Sequence, residues 1–301
     1  MAKKKRISSV EKATLVIPGF EKLWTKVQRR IVLSQHSPNT LSCYGGGLAQ
    51  IALHFGRSPV EVDKEEMQQF LYELVKKKRR SVSYLKIIVY SLHYAYRTLG
   101  FDSSHLELPT FPHKTHLPAV LSKQECQRLL ATPVLLKHRV ILALIYSTGL
   151  RMNEARLLKL KDIDADRMQI HVRQGKGCKD RYVTLSKILL RLLKQYYKKC
   201  KPQVYLFNGQ NPREPLGQRT MASVLNQSAL KAELTKDVSL HTLRHSFATH
   251  LLEDGVDLIS IKEQLGHSQV QSTMIYLHIA RVRKSLPHSP LDTLYRKQGK
   301  Y

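Results

Sequence analysis

The chain has 301 residues, 42% of them hydrophobic, so it can bury the cores of two ordinary domains and is not a long disordered chain. Fifty lysines and arginines against 23 aspartates and glutamates give a formal net charge of +27, which favours a polyanionic partner, most commonly nucleic acid. No apolar run approaches the roughly 20 residues that span a bilayer, and the N-terminus lacks a signal-peptide core, so we expect no membrane partner. The four cysteines form no C-x-x-C pair, which indicates reduced thiols in a cytoplasmic protein. With nucleic acid as the partner, the expected location is the nucleoid.

The first hundred residues predict a basic tail followed by a helical domain. Residues 1–14 carry a run of lysines and are predicted to be a basic tail, mobile over residues 1–12. Residues 15–105 show apolar positions at helical spacing, with helix starts expected at Asn39 and at Ser58. The glycines at 45–47 disfavour a regular helix there, because each glycine costs about 1 kcal/mol inside a helix. The expected core faces are Leu48, Ile51, Ala52 and Phe55; Phe70, Leu71 and Leu74; and Leu85, Ile88, Val89 and Leu92.

The block KKKRR, residues 76–80, lies between two of these helical patterns. Charge runs of this kind are usually solvated loops or helix ends. In a chain with this net charge, we favour contact with the phosphates of a nucleic acid. The predicted DNA-contacting residues are Lys76, Lys77, Lys78, Arg79 and Arg80, with Lys179 and Arg181 further along the chain.

A second domain, residues 119–301, follows a proline-rich segment, residues 106–118, which is predicted to be an extended linker. Ser122 is expected to cap a helix, and the apolar segment 140–150 is expected to be a buried helix that ends at Gly149. Two alternating segments predict a β-hairpin over 168–172 and 181–185. Further helices are expected over 187–197, 220–234, 241–253, 257–265 and 270–280, before a C-terminal tail. The predicted fold is therefore mainly α with a small β-sheet, in two domains.

Two residues near the hairpin and the buried helix suit a phosphate. Arg151 opens a helix after Gly149, where the positive end of that helix favours an anion. Lys176 lies between two glycines at the hairpin tip, which allow the backbone to approach a ligand closely. Glu154 follows Arg151 by one helical turn; it could orient that arginine, or it could equally be an ordinary surface charge.

The segment SLHTLRHSFATH, residues 239–250, places His241 and Arg244 on one helical face. His245 follows one turn after His241 and could join their site or, as we favour, pack beneath it. Two histidines at this spacing bind zinc in the H-E-x-x-H pattern, but here no glutamate follows the first histidine and an arginine lies between the two. A fixed positive charge repels a dication and attracts a phosphate, so we expect an anion site and no metal.

Two more candidates lie near the end of the second domain. Gly266 is a natural residue for a helix end, and it leaves His267 in the turn that follows. Tyr276, in TMIYLH, is the candidate nucleophile among 14 tyrosines. A phenol with a pKa near 10 needs positive charge and a proton acceptor to attack at neutral pH, and His241 is the expected acceptor.

Five segments, in their order and approximate spacing, resemble the tyrosine recombinases of the Xer, phage-integrase and integron-integrase type: TGLRMNE, QGKGCKDR, HTLRHSFATHLL, LGHS and TMIY. The resemblance covers roughly residues 118–285, and residues 15–105 resemble that family's core-binding domain. It implies cleavage and rejoining of DNA through a covalent 3′-phosphotyrosine, for integration or excision of a mobile element. It also implies that the reaction needs no cofactor and that the substrate is double-stranded DNA with inverted-repeat sites. The protein is then expected to act as a tetramer on DNA. The residues that the resemblance places around the scissile phosphate are Arg151, Lys176, His241, Arg244 and His267, with Tyr276 attacking.

Three alternatives share parts of this pattern. A tyrosine-type topoisomerase would use nearly the same groups on one duplex without strand exchange. A non-catalytic DNA-binding protein on the same fold would be favoured if a site position were replaced, and all six are present. A metallohydrolase built on His241 and His245 lacks an acidic ligand.

Overall fold

The computed structural model describes residues 7–77, 79–101, 117–173 and 180–280. The chain divides into two compact units, Met1–Lys114 and Thr115–Tyr301. In the described residues the first unit is helical, and the second combines helices with a three-stranded sheet. The predicted fold class, mainly α with a small β-sheet, is confirmed. None of the helices within these ranges is both long and apolar enough to cross a membrane.

Five α-helices and a short 3₁₀ helix build the described part of the first unit. Their bounds are Ser9–Val16 for α1, Phe20–Leu33 for α2, Pro38–Phe55 for α3, Pro59–Glu61 for the 3₁₀ helix, Lys64–Lys76 for α4 and Val82–Leu99 for α5. α3 packs against α1, α2 and α5. The apolar residues predicted to form the core are buried, except for Phe55, which is partly buried.

A helix replaces much of the predicted basic tail. The prediction of a basic tail over residues 1–14, mobile over residues 1–12, is wrong from Ser8 onward, because Ser8 caps α1. The Ser8 side chain accepts a hydrogen bond from the Glu11 N–H at 3.2 Å, and the Glu11 carboxylate accepts one from the Ser8 N–H at 2.7 Å. Ala13 is fully buried, and α1 packs on α3. Reciprocal capping and one apolar contact face outweigh the basic composition of this segment.

Two predicted helix starts also require correction. α3 starts at Pro38 rather than after Asn39, and its cap is Ser37, whose side chain accepts a hydrogen bond from the Thr40 N–H at 3.1 Å. Proline is favoured at the first helical position, so the serine before it takes the capping role. Ser58 precedes only the 3₁₀ turn, and α4 starts after Asp63, which forms its own capping box.

The three glycines 45–47 lie inside α3 without interrupting it. A Cβ atom added to Gly45 would lie 2.7 Å from the Trp24 ring, and one added to Gly47 would lie 2.5 Å from Ser91 Oγ. The expected disruption is wrong, because these two glycines let α2 and α5 approach α3 closely. Gly46 faces open space and makes no comparable contact.

The second unit contains eight α-helices, two 3₁₀ helices and three strands in its described residues. The bounds are Lys123–Ala131 for α6, Leu136–Thr148 for α7, Met152–Leu157 for α8, Leu160–Asp162 for a 3₁₀ helix, Ile163–Asp164 for β1, Gln169–Val172 for β2, Arg181–Thr184 for β3, Lys187–Cys200 for α9, Gln218–Lys231 for α10, Leu240–Glu253 for α11, Leu258–Leu265 for α12, Gln271–Met274 for α13 and Ile275–His278 for the last 3₁₀ helix. The predicted cap at Ser122 and the predicted helix end at Gly149 are both confirmed. The segment 270–280, predicted as one helix, is instead divided between α13 and the 3₁₀ helix.

The sheet has the antiparallel order β1-β2-β3, and Ile170 lies opposite Val183. The predicted hairpin is confirmed by β2 and β3. The sequence missed β1, whose two residues are too few to show an alternating pattern. Ile170 and Val183 are buried on the inner face, and Arg181 shares that face because side chains alternate along a strand. α12 packs against β3 on this side.

α11 is buried along most of its length and positions the centre of the second unit. It packs against α7, α12 and the last 3₁₀ helix. The α11 side chains that point away from the apolar core therefore lie next to the ends of α7 and α12. The residues singled out in the sequence lie at this junction.

Candidate active site

Four elements of the second unit bring the predicted site residues together. Arg151 precedes α8, and His241 and Arg244 lie in the first turns of α11. His267 follows the end of α12, and Tyr276 lies in the last 3₁₀ helix. Lys176 lies outside the described residues.

Arg244 is the most buried charge of the site, with 3% of its surface exposed. Its guanidinium donates to the carbonyl oxygen of Gly149 at 2.5 Å and to that of Leu265 at 2.8 Å. These carbonyls lie at the C-terminal ends of α7 and α12, where the helix dipole is negative. Burial, together with the charge of Arg151, lowers the pKa of Arg244 to about 10, so the group is still positive at neutral pH.

Arg151 converges on the same place from α8. Its Nη1 lies 3.4 Å from the Leu265 oxygen that Arg244 also contacts, and its Nη2 lies 3.3 Å from the Gly266 oxygen. Arg151 Nη1 also donates to the Glu154 carboxylate at 2.9 Å. Two guanidiniums that share one carbonyl oxygen form a concentrated positive site with fork-shaped donors, which suits an oxyanion with several oxygens.

Glu154 is a buried carboxylate held by two arginines. Arg181 donates to both of its oxygens, at 3.0 and 2.8 Å. Arg151 also donates to both, from Nη1 to Oε1 at 2.9 Å and from its backbone N–H to Oε2 at 2.8 Å. Burial alone would raise the pKa of Glu154, but the hydrogen bonds and charges of Arg181 and Arg151 lower it to about 2. Glu154 therefore orients Arg151 and is not an ordinary surface charge.

Arg181, predicted as a DNA contact, is instead part of this cluster. Its side chain is 11% exposed, and its Nε donates to the Gln264 oxygen at 3.1 Å, so all three guanidinium nitrogens are bonded inside the protein. Gly266 allows this packing, because a Cβ there would lie 2.8 Å from Arg181 Cδ. Sequence reasoning missed this role, although the alternation of β3 places Arg181 on the inner face with Val183.

The other predicted DNA-contacting residues lie at the end of α4 and in the turn before α5. Those in the described ranges are all exposed: Lys76, Lys77, Arg79 and Arg80. Lys77 pairs with Glu73 one turn earlier, at 3.0 Å. Lys78 and Lys179 lie outside the described residues. Contact of this block with DNA stays a prediction.

His267 is held by a buried hydroxyl. Its Nδ1 lies 2.8 Å from Thr273 Oγ1, which leaves Nε2 for another partner. Burial, followed by the charges of Arg244 and Arg151, lowers the pKa of His267 to about 4. Thr273 was not singled out in the sequence; its position, one turn before Tyr276, is the only signal it carries there.

Tyr276 and His245 form a pair beneath these charges. Tyr276 is 1% exposed, and its hydroxyl lies 3.1 Å from His245 Nδ1. Burial raises the pKa of Tyr276, while the charges of Arg244 and Arg151 act in the opposite direction. His245 thus does more than fill space beneath the site, since it contacts the candidate nucleophile.

His241 lies at the open edge of the same site. Its side chain is exposed. Partial desolvation, then the charges of Arg244 and Arg151, lowers the pKa of His241 below its ordinary value. A ring so placed is accessible to a ligand that enters between the two arginines.

The described residues include no cluster of three or more His, Cys, Asp or Glu side chains that could hold a metal ion. His245, half of the histidine pair considered for zinc, uses Nδ1 for Tyr276. The arrangement can hold a phosphate between Arg151 and Arg244 with a phenol beside it. Such a site is suited to attack of a hydroxyl on a phosphodiester.

Comparisons with known proteins agree with this chemistry. Residues 119–283, more than half of the chain, match the phage integrase family. The tyrosine recombinase XerA of Pyrococcus horikoshii is 32% identical over 250 residues, covering 82% of this chain and 85% of that protein. An integrase/recombinase of Escherichia coli is 30% identical over an alignment of 328 positions, covering 94% of this chain and 97% of that protein.

The fold is also similar to that of a solved recombinase. The crystal structure of the site-specific recombinase XerH bound to palindromic difH substrate has a TM-score of 0.67 and 24% identity, covering 80% of this chain and 76% of that chain. The matching relatives are recombinases and integrases, which favours strand exchange over the topoisomerase alternative. The chain therefore belongs to the phage integrase family and is a site-specific tyrosine recombinase.

Proposed function

We propose that Tyr276 is the nucleophile of this recombinase and that Arg151, His241, Arg244 and His267 surround the scissile phosphate. The observation that carries the proposal is the convergence of Arg151 and Arg244 on the oxygen of Leu265, at 3.4 and 2.8 Å. The charges of both arginines act on the Tyr276 hydroxyl. Positive charge and nucleophile are therefore concentrated in one place.

The proposed reaction follows from the charges. Attack on a phosphodiester adds negative charge to its non-bridging oxygens, and two guanidinium forks stabilise that charge as it develops. A bond forms between Tyr276 Oη and phosphorus as the Oη–H bond breaks and its proton passes to a histidine of the site, and the bond from phosphorus to the 5′-oxygen breaks. The leaving 5′-oxygen takes a proton, for which Lys176 is the proposed donor. The 3′-phosphotyrosine keeps the energy of the broken bond, so the DNA strand can be rejoined without ATP.

The proposed substrate is double-stranded DNA with inverted-repeat sites, bound by four chains. The net charge of +27 favours the phosphate backbone of a duplex. The XerH structure contains a palindromic substrate. A palindrome offers two equivalent half-sites, which suit two copies of one chain related by two-fold symmetry. Exchange between two such duplexes requires two pairs of chains. Integration or excision of a mobile element, at the nucleoid, is the role that we propose for this reaction.

The first unit is the proposed core-binding domain, over residues 15–105. The cations at the end of α4 are exposed and can contact phosphates. The segment that connects α4 to α5 is short, so these cations would lie close together. A domain of this kind adds backbone contacts, which strengthen binding without reading sequence. We propose that residues 106–118 link it to the catalytic domain, residues 119–301.

A covalent-trapping experiment tests the proposed nucleophile. Nicked suicide duplexes and a supercoiled plasmid are incubated with the protein, without metal ions or ATP, and adducts are trapped in detergent. We expect the wild type to form a 3′-linked adduct and Tyr276→Phe to form none, because only the attacking oxygen is removed. Tyr197→Phe is the matched control, since Tyr197 is an exposed tyrosine of α9 and its loss leaves the adduct unchanged.

Two results would contradict the proposal. An adduct that persists in Tyr276→Phe shows that another group attacks. Tight DNA binding with no adduct on any duplex, including inverted repeats found beside the gene, shows that this chain does not cleave DNA. Joining of two DNA sites, measured on the same substrates, confirms strand exchange.

A further inference from the structure

The contact between His245 and Tyr276 assigns a second function within the proposed site. His245 follows Arg244 on α11, and its Nδ1 lies 3.1 Å from Tyr276 Oη, at hydrogen-bonding distance. Its Nε2 has no hydrogen-bond partner in the described residues. The two rings are tilted by 52° with their centroids 5.7 Å apart, so the contact runs between the ring nitrogen and the hydroxyl rather than between ring faces.

The His245 ring is uncharged at neutral pH. Burial, then the charges of His241 and Arg244, lowers the pKa of His245 to about 4. The ring is therefore neutral and has one nitrogen able to accept a proton. The positive charge of Arg244 disfavours the protonated ring, so a proton gained from the phenol is readily passed on.

We propose that His245 accepts the hydrogen of the Tyr276 hydroxyl and takes its proton as that oxygen attacks phosphorus. This inference rests on the proposed function of Tyr276. In the step, the Oη–H bond breaks and its proton passes to His245 Nδ1, while the Oη–P bond forms and the P–O5′ bond breaks. A second proton passes to the 5′-oxygen from the donor of the site. His241, the acceptor expected from the sequence, lies at the exposed edge and is left to contact the phosphate.

One competing role for the same contact makes the opposite kinetic prediction. Tyr276 is almost completely buried, so the hydrogen bond to His245 also fits a latch that keeps the hydroxyl away from DNA. Removing a latch accelerates cleavage. Removing a base slows it, typically by about 100-fold or more.

Single-turnover cleavage by His245→Ala and His245→Asn separates these roles. Each variant is measured on a suicide duplex and on one in which sulfur replaces the bridging 5′-oxygen of the scissile phosphate. A thiolate leaves without a proton donor, so the sulfur substrate compensates for a lost acid and not for a lost base. We expect both His245 variants to be about 100-fold slow on both substrates, and Lys176→Ala to be slow only on the oxygen substrate.

The pH profile provides a second readout. Without His245, only the phenolate form of Tyr276 attacks, so the cleavage rate of His245→Ala is expected to rise about tenfold per pH unit between pH 6 and 9. The wild-type rate is expected to change little over that range. Asn keeps a hydrogen-bond acceptor near the position of Nδ1 but cannot take a proton, so His245→Asn is expected to follow the same steep profile.

His250 provides a matched control on the same helix. Its Nδ1 lies 3.0 Å from the Tyr146 hydroxyl, a similar pair outside the site. We expect His250→Asn to lower stability without changing the shape of the pH profile. Circular dichroism and DNA binding verify that each variant is folded.

Three outcomes would overturn the inference. Faster cleavage by His245→Ala identifies a latch. Wild-type rate and pH profile in His245→Asn identify a residue that only positions the hydroxyl. Recovery of His245→Ala on the sulfur substrate identifies an acid. If Tyr276→Phe still forms an adduct, the proposed function of Tyr276 fails together with this inference. If Tyr276→Phe forms no adduct but the His245 variants cleave like the wild type, only this inference fails.

Discussion

Glu154 connects two arginines that come from different parts of the chain. Arg151 precedes α8 and Arg181 belongs to β3, and the same carboxylate binds both, while only 7% of its side chain is exposed. The base of the hairpin and the start of α8 are therefore fixed to each other by charge. This arrangement positions Arg151 before any DNA is bound, which lowers the cost of ordering the site when substrate arrives.

Glu154→Gln tests this connection, because it keeps the shape of the side chain and removes its charge. Two arginines would then be left in a buried setting without their anion. We expect a loss of about 3 kcal/mol in the free energy of unfolding, measured by urea denaturation, together with slower cleavage.

Glu263→Gln is the control for Glu154→Gln. Glu263 is an exposed residue of α12, and we expect its substitution to change stability by less than about 0.5 kcal/mol. Equal effects of the two substitutions would show that Glu154 does not hold the arginines in solution.

The residues of the site differ in how far the sequence predicts them. Arg151, Arg244, His267 and Tyr276 stand out through the motifs that contain them, and the structure brings all four together. The role of Arg181 depends on Glu154, which lies 27 residues away in the chain. The role of His245 depends on Tyr276, which lies 31 residues away. Such pairs are created by tertiary packing, so no local pattern in the chain indicates them.

At the level of elements, α3 shows that glycine can strengthen a helix contact while it weakens the helix itself. Gly45 faces the Trp24 ring, and Gly47 faces α5 through Ser91. Propensity alone predicts a broken helix, because it counts the backbone entropy of glycine and not the close approach that glycine allows.

Gly45→Ala is expected to destabilise the first unit by about 1–3 kcal/mol. The added methyl group would lie 2.7 Å from a rigid indole ring, so Trp24 or α2 must move. Gly46→Ala, one residue away and facing open space, is expected to stabilise the same helix by up to about 1 kcal/mol. Thermal and urea unfolding of both variants measure the difference. Stabilisation by both substitutions would mean that α2 does not pack this closely on α3.

Elements with a clear local sequence pattern were predicted correctly, and elements without such a pattern were missed. The hairpin and the end of α7 follow from alternation and from Gly149, and both are confirmed. β1 is held only by its pairing with β2, which depends on the folded sheet. α1 was missed because lysines dominate the composition around it, although Ser8 and Glu11 have the spacing of a capping box.

At the scale of the whole molecule, the site couples folding to pH. His245 and His267 each have a pKa of about 4 in the folded protein, below the ordinary value of 6.5. Between pH 6.5 and 4, the unfolded chain binds protons at these positions that the folded chain does not bind. The free energy of unfolding therefore falls as the pH falls through this window.

Urea unfolding between pH 8 and 4 measures this coupling in the second unit. We expect the midpoint to change little above pH 7 and to decrease from pH 6.5 to 4. The slope is expected to be smaller in His267→Asn, which cannot titrate. An unchanged slope in that variant would show that His267 is protonated equally in the folded and unfolded states.

Arg244 also affects how an inactive form of this enzyme is best prepared. Its guanidinium joins the carbonyl ends of α7 and α12, so a substitution at this position loosens the scaffold as well as removing a phosphate ligand. Tyr276→Phe removes one oxygen and leaves that connection in place. Stable complexes on intact DNA, for cryo-microscopy or crystallisation, are therefore better sought with a phenylalanine at 276 than with a neutral residue at 244.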